Sequence, residues 1–183
     1  MNMTERQISY EYKYRGKIIS LRVDNALLPD GREAKREIVE HNGGVCVVAL
    51  DDEKNILMVK QFRYPYGEVI YEIPAGKRDS KDEDPLSCGK RELKEETGAV
   101  AENFIPLGEL YPSPGYCGEI IWMFAATGLS FGDTDPDDDE FITAEKVPFE
   151  KAVEIIMDGT VKDAKTQTAV LKLKVLLDSG KLN

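Results

Sequence analysis

The residues best placed to do chemistry are three acids, Glu92, Glu95 and Glu96, in the run Arg91-Glu92-Leu93-Lys94-Glu95-Glu96-Thr97-Gly98. On a helix, Glu92 and Glu96 stand four apart and Glu95 lies one turn from Glu92, so all three carboxylates project from one side. Helix stability alone disfavours this. Like charges at that spacing repel by about 0.2–0.5 kcal/mol per pair, and acids near a helix C-terminus oppose the macrodipole by about 0.3–1 kcal/mol each. A divalent cation reverses the sign, and Mg²⁺ in particular binds a few carboxylates together with water and phosphate oxygens. The alternative is a solvated acidic face with Lys90, Arg91 and Lys94 as its partners.

The helix that carries these acids has its own start and stop signals. Asp84 suits the N-cap, Pro85 the first helical position and Gly98 the left-handed residue that ends a helix, with about three turns between them. Upstream, Ile8 to Val23 alternates like a strand around Tyr10, Tyr12, Tyr14, Ile18 and Leu21, broken by a turn at Arg15-Gly16. A further strand over Asp24–Leu28 meets the turn Pro29-Asp30-Gly31, and extended structure resumes from Ala34 to Glu40. These stretches predict a small antiparallel sheet, too thin to stand alone, that packs on the rest of the chain or on a second copy. Gly43-Gly44 marks the join, dividing a strand-rich extension over 1–42 from a main domain over 43–183.

Within the main domain, Val45 to Leu50 is continuously apolar, as in a buried central strand. Strands are expected over Ile56–Arg63, Val69–Ile73, Phe104–Leu107, Glu109–Tyr111 and Glu119–Ala126, with Trp122 and Phe124 in the core. Amphipathic helices follow over Phe149–Asp158 and Ala164–Leu177. The fold expected is α/β, a mixed sheet sandwiched between helices, with an N-terminal antiparallel strand extension.

The net charge of −10 argues against binding nucleic acid through a basic surface. An acidic site also repels a polyanionic substrate unless metal ions intervene, so charge and spacing point the same way. No apolar run reaches membrane-spanning length and the first residues form no signal-peptide core, so a cytoplasmic chain without a membrane partner is expected. Cys46, Cys88 and Cys117 lack the paired spacing of a zinc or disulfide framework and read as core or half-buried thiols. The acidic run Asp133–Glu140 fails as a calcium loop, because Asp138 stands where an EF-hand needs Gly and Ala144 where it needs Glu.

The string from Gly76 to Ala99 resembles the Nudix box: Gly, five residues, Glu, seven residues, then Arg-Glu-aliphatic-x-Glu-Glu-x-Gly-aliphatic. Arg91, Glu92, Leu93, Glu95, Glu96 and Gly98 match, and Glu83 stands the right distance before Arg91. There are two departures: six residues separate Gly76 from Glu83, and Ala99 is a small final aliphatic. An alignment on Asp82 adds a residue before Arg91; the alignment on Glu83 keeps the helix start in register and puts the extra residue in a loop, where insertions are tolerated. Arg36–His41, Gln61-Phe62-Arg63-Tyr64-Pro65, Glu72-Ile73-Pro74-Ala75-Gly76 and Ser113-Pro114-Gly115 extend the resemblance to the ADP-ribose pyrophosphatase branch, in which a proline follows the box as Pro114 follows Gly98.

The resemblance implies metal-dependent hydrolysis of ADP-ribose to AMP and ribose 5-phosphate. A related nucleoside diphosphate derivative, such as GDP-mannose or a dinucleotide, is the alternative substrate, and a non-catalytic nucleotide sensor is a third reading. Glu92, Glu96 and the Ala75 carbonyl would hold Mg²⁺, with Glu95 joining them and Mn²⁺ as a possible substitute. Arg91 would fix a box carboxylate, which its rigid fork does better than a lysine, and Glu83 would act at the helix start. Carboxylates bound to metal are poor proton acceptors, so the base that activates water would be Glu140, with Asp139 as the alternative and Glu95 next. Arg63 beside Glu72 would contact the diphosphate or terminal ribose, or form a surface pair; Arg36 and Glu37 would approach the adenine or its ribose. Tyr64, Tyr66, Tyr111 and Tyr116 would stack on a base or serve core or interface, and His41 has no catalytic role. A homodimer is implied, in which the N-terminal strands of one chain complete the nucleotide site of the other.

Overall fold

The computed structural model describes residues 2–135 and 141–182. Along the chain come β1 (Arg6–Arg15), β2 (Ser20–Leu27), β3 (Glu33–Glu40), β4 (Gly44–Ala49), β5 (Asn55–Arg63), β6 (Glu68–Glu72) and β7 (Ala75–Lys77). After them come α1 (Pro85–Thr97), β8 (Ala99–Leu110), β9 (Ile121–Phe131), β10 (Thr143–Pro148), α2 (Phe149–Met157) and α3 (Ala164–Asp178). The first three strands form an antiparallel sheet in order β1-β2-β3. A mixed sheet runs β7-β4-β9-β8, parallel only between β4 and β9, and an antiparallel sheet runs β10-β5-β6.

The continuous apolar run of β4 has a simple cause. Successive side chains of a strand point to opposite faces, and both faces of β4 are covered. Cys46 and Val48 join the cluster that holds Ala169, Val170 and Leu173 of α3, whereas Val47 and Ala49 pack with Leu93 of α1. A Cβ on Gly89 would stand 3.1 Å from Val45 and 3.3 Å from Val47, so the glycine lets α1 lie close against this strand. The sheet thus sits between helices as expected, with the acid-bearing helix on one side.

Several elements differ from the sequence reading. β2 runs without a break, because Asp24 stays in register with Arg36 of β3 and pairs with Arg22. β8 is one strand from Ala99, interrupted only by a bulge between Pro106 and Gly108. β9 continues to Phe131, paired with Ala99. β7 and β10 were not foreseen; each exists through its pairing, with β4 and β5 respectively. Trp122 is half-buried rather than in the core.

The N-terminal sheet has little apolar core of its own. Arg22 bridges Asp24 at 2.7 Å and Glu40 at 2.5 Å, Tyr12 donates to Glu40 at 2.8 Å and Gln7 to Asp24 at 2.6 Å. The sheet joins the rest of the molecule through the end of β3, where the Val39 amide donates to the Tyr116 carbonyl and the Gly118 amide to the Val39 carbonyl.

Candidate active site

The geometry of α1 follows from its caps. The Asp84 side chain accepts from the Ser87 amide, Pro85 takes the first turn, and Gly98 closes the helix at φ 69° with its amide donating to Lys94. The acids then divide by depth. Glu92 and Glu96 are buried and Glu95 is half-buried. Glu96 Oε2 accepts from the Ala75 amide at 3.1 Å, tying the helix to β7. A Cβ built on Gly76 would collide with the Glu92 carboxylate, so that carboxylate occupies the hollow the glycine leaves.

Arg91 lies between the acids. Its Nη1 stands 2.8 Å from Glu92 Oε1 and 2.9 Å from Glu95 Oε2, and its Nη2 is 3.5 Å from Glu83 Oε1. Burial works against the guanidinium, but Glu92, Cys88 and Glu95 outweigh it and raise its pKa. Burial also pushes the Cys46 and Cys88 thiols up to about 12, so neither serves as a nucleophile near neutral pH.

Glu92, Glu95, Arg91 and Ala75 line a cleft of about 630 Å³ together with Arg63, Asp163 and Lys165. The last two were not singled out from sequence. Lys165 stands in the first turn of α3, where a cation opposes the macrodipole, and that is the one local signal for it. Its partners are Asp163 at 3.0 Å and Glu72. Burial works against the ammonium, but Asp163 and Glu72 overcome it and hold Lys165 above its ordinary value. Arg63 grips the same Glu72 with two hydrogen bonds, at 2.5 and 2.7 Å. Glu72 is fully buried. Desolvation alone would raise its pKa; Arg63 and Lys165 reverse that and hold it below 4.5. The Glu72 carboxylate therefore supports the cleft from beneath, through Arg63 and Lys165.

Arg36, Glu37 and Pro114 line a second groove, of about 580 Å³, with Tyr116 and Cys117. Arg36 is paired with Glu5 at 2.6 Å. Of the sequence-derived residues, Arg63, Ala75, Arg91, Glu92 and Glu95 line the cleft and Arg36, Glu37 and Pro114 the groove, whereas the buried Glu96 and Glu72 line neither, Glu96 lying against the Ala75 amide. Tyr64, Tyr66, Tyr111 and Tyr116 are exposed and none is core. Glu140 and Asp139 lie outside the described residues.

Among the described residues, no three carboxyl, imidazole or thiol groups close around one point as a finished metal site. The donor set nonetheless fits a hard divalent ion: carboxylate oxygens converge on a polar cleft, and a cation, Arg91, already lies between two of them. Glu92, Glu95 and Glu96 are the side chains able to hold such an ion. Arg63 and Lys165, from β5 and α3, line the same cleft, both anchored on Glu72.

The chain is similar to known proteins over nearly its whole length. A family model described as NUDIX domain matches residues 40–167, and one described as nucleoside diphosphate sugar hydrolase N-terminal domain matches residues 5–39. The chain is 42% identical over 184 residues to an ADP-ribose pyrophosphatase of Bacillus subtilis, covering 98% of this chain and 99% of that one. It is 33% identical over 141 residues to a GDP-mannose pyrophosphatase of Yersinia enterocolitica, covering 72% and 73%. A crystal structure of an ADP compounds hydrolase shares the fold with a TM-score of 0.84 at 17% identity, over 100% of both chains.

Proposed function

This chain belongs to the NUDIX family, and on that premise we propose that it hydrolyses the diphosphate of ADP-ribose to AMP and ribose 5-phosphate. The observation that carries the reading is the make-up of the cleft, acids on α1 and cations on β5 and α3. That arrangement suits a substrate whose diphosphate meets both a metal and fixed positive charge. The near full-length likeness to an ADP-ribose pyrophosphatase supports the choice of sugar nucleotide.

As a Nudix hydrolase the protein works with a divalent metal, and we take it to be Mg²⁺, replaceable by Mn²⁺. Bound there, such an ion neutralises phosphate charge and lowers the pKa of a water. Glu92, Glu95 and Glu96 would hold it, with the Ala75 carbonyl. Arg91 fixes the resting positions of Glu92 and Glu95. Arg63, anchored by Glu72, orients the diphosphate. Glu140 takes the proton of the attacking water, with Asp139 as the alternative base. Arg36, Glu37 and Pro114 receive the adenosine end, and they do so across a homodimer, the extension over 1–42 of one chain serving the main domain of the other. Exposed Ile8, Tyr10 and Tyr14 on β1, with Ile18 and Ile19 in the turn that follows it, favour that assembly. Free Cys46, Cys88 and Cys117 suit a reducing cytoplasm, and the net charge of −10 suits a protein that binds neither nucleic acid nor an anionic membrane.

The test is a substrate panel with Mg²⁺, with products separated by chromatography. ADP-ribose is expected to give AMP with a kcat/KM at least about tenfold above that of GDP-mannose. The likeness to a GDP-mannose pyrophosphatase makes that sugar nucleotide the second reading, and the reverse preference would establish it.

A further inference from the structure

Arg78 is a buried cation for which the chemistry above has no use. The residue is 7% exposed, and its guanidinium carbon stands 4.6 Å from the centroid of the Trp122 ring. Its donors go to backbone carbonyls. Nε donates to Glu83 at 2.8 Å, Nη2 donates to both Lys81 and Glu83, and Nη1 reaches Asn42 at 3.4 Å. These carbonyls belong to the loop between β7 and α1 and to the join after β3. The loop is the stretch that carries one residue more than the box pattern, and a planar fork with several donors satisfies such inward carbonyls where a point charge would not. Two further bonds clip the loop to the join: the Arg78 amide donates to the Gly43 carbonyl at 3.0 Å, and Asn42 Nδ2 to the Asp79 carbonyl at 3.0 Å.

The loop so held ends in Glu83, whose side chain works in two directions. Its Oε2 accepts from the Asp79 amide at 2.6 Å, and its Oε1 faces Arg91 at 3.5 Å. Arg91 in turn sits on Glu92 and Glu95. We propose that Arg78 is a positioning residue for the metal-binding carboxylates: stacked on Trp122, it sets Glu83, and through Glu83 and Arg91 it sets Glu92 and Glu95. The proposal rests on the reading that these carboxylates hold the metal. It differs from a purely structural role in locating the effect in metal affinity and kcat rather than in substrate affinity.

The experiment compares wild type with Arg78→Lys and Arg78→Leu, measuring Mn²⁺ binding by electron paramagnetic resonance, kcat and KM for ADP-ribose, and Tm. Partners beyond the direct ligands typically change metal affinity or activity by about 10–100-fold, and a loss of that size in Mn²⁺ affinity and in kcat at limiting metal is expected for both variants. KM should stay within about twofold, and Arg78→Lys should fail to rescue, because an ammonium cannot span the loop carbonyls. If Arg78→Leu does not fold, Arg78→Lys decides, since it keeps the charge and the ring contact. A folded variant that binds Mn²⁺ and turns over within about twofold of wild type overturns the proposal. So does unfolding of both, because Arg78 would then serve the fold as a whole. Glu96→Gln separates the two readings: if it binds Mn²⁺ like wild type, the metal assignment fails; if it loses Mn²⁺ while Arg78→Lys keeps it, only the role of Arg78 fails.

Discussion

Around α1, charged side chains hold one another within a single chain. Arg91 grips Glu92 and Glu95, Arg63 and Lys165 share the buried Glu72, and Glu96 is tied to the Ala75 amide. The N-terminal sheet is built on the opposite plan. Its polar side chains staple β1 to β2 and β3 through Arg22, while Tyr10, Tyr14 and Ile8 remain open to solvent. A reaction centre has to be rigid before substrate arrives, because misplaced groups lose rate steeply. On the proposed function, the surface that receives the rest of the nucleotide is completed by a second copy. The difference is between a region whose charged groups are paired around a cleft and one that leaves an apolar face exposed, and the proposed function assigns catalysis to the first and recognition to the second.

The sharpest break of this comparison is Glu96→Gln. It removes one charged metal ligand, and turnover in Mg²⁺ should fall by about 10³-fold or more. Apo stability should be unchanged or slightly higher, because repulsion on the helix is relieved; calorimetry beside steady-state assays checks both halves. Near-normal activity would mean the acids of α1 are not the metal face.

Glu140→Gln should lower kcat by about 10²–10⁴-fold with KM nearly unchanged, as for loss of a general base. Asp137→Asn and Asp138→Asn should do little in the same assay. If Asp139→Asn takes the loss in place of Glu140→Gln, the base moves by one residue; if neither does, Glu95 is the remaining carboxylate.

Glu72→Gln tests the claim that the cleft is held from beneath. Breaking a buried ion pair at one partner costs about 3–5 kcal/mol, so urea unfolding at neutral pH should show a loss of that order. The sign of the pH effect follows from a folded-state pKa lowered from 4.5. The charged Glu72 contributes its full stability above 4.5 and loses it as pH falls through the depressed value, so the gap between wild type and variant should close in acid.

Arg36→Ala should have the smallest effect, a rise in KM of about tenfold with kcat kept, from one lost charged hydrogen bond. Mixed with Glu96→Gln, it also reports on the division between regions. If the sheet serves the partner's cleft, one kind of site in the mixed dimer is wild type throughout, and at substrate well below KM the 1:1 mixture should rise to about a quarter of normal activity. No recovery on mixing would place the sheet and the cleft it serves in one chain.

How much of this was legible in the sequence depended on the range of the forces involved. The caps of α1 were readable at Asp84, Pro85 and Gly98 because capping is chemistry within one turn. The buried strand β4 was readable because both of its faces are apolar. β10 was not, since Thr143–Pro148 carries no alternation and becomes a strand only by pairing with β5. β8 was read as two pieces because the bulge at Pro106–Gly108 interrupts its pattern. Lys165 and Glu72 stand 93 residues apart, and no local pattern announces their contact. Arg78 was invisible for a related reason: its partners are backbone carbonyls and an aromatic face, which leave no charge pairing to find.

The central claim is that the acids of α1, with the Glu92 carboxylate seated in the hollow at Gly76, form the metal face. The direct measurement is a Mn²⁺ titration of Gly76→Ala beside wild type, followed by electron paramagnetic resonance. Gly76 is not among the residues with positive φ, so alanine suits its backbone, and the three atoms nearest the new methyl all belong to the Glu92 carboxylate. The account predicts a dissociation constant raised at least about tenfold with Tm close to wild type. An unchanged Mn²⁺ affinity in the folded variant would contradict it.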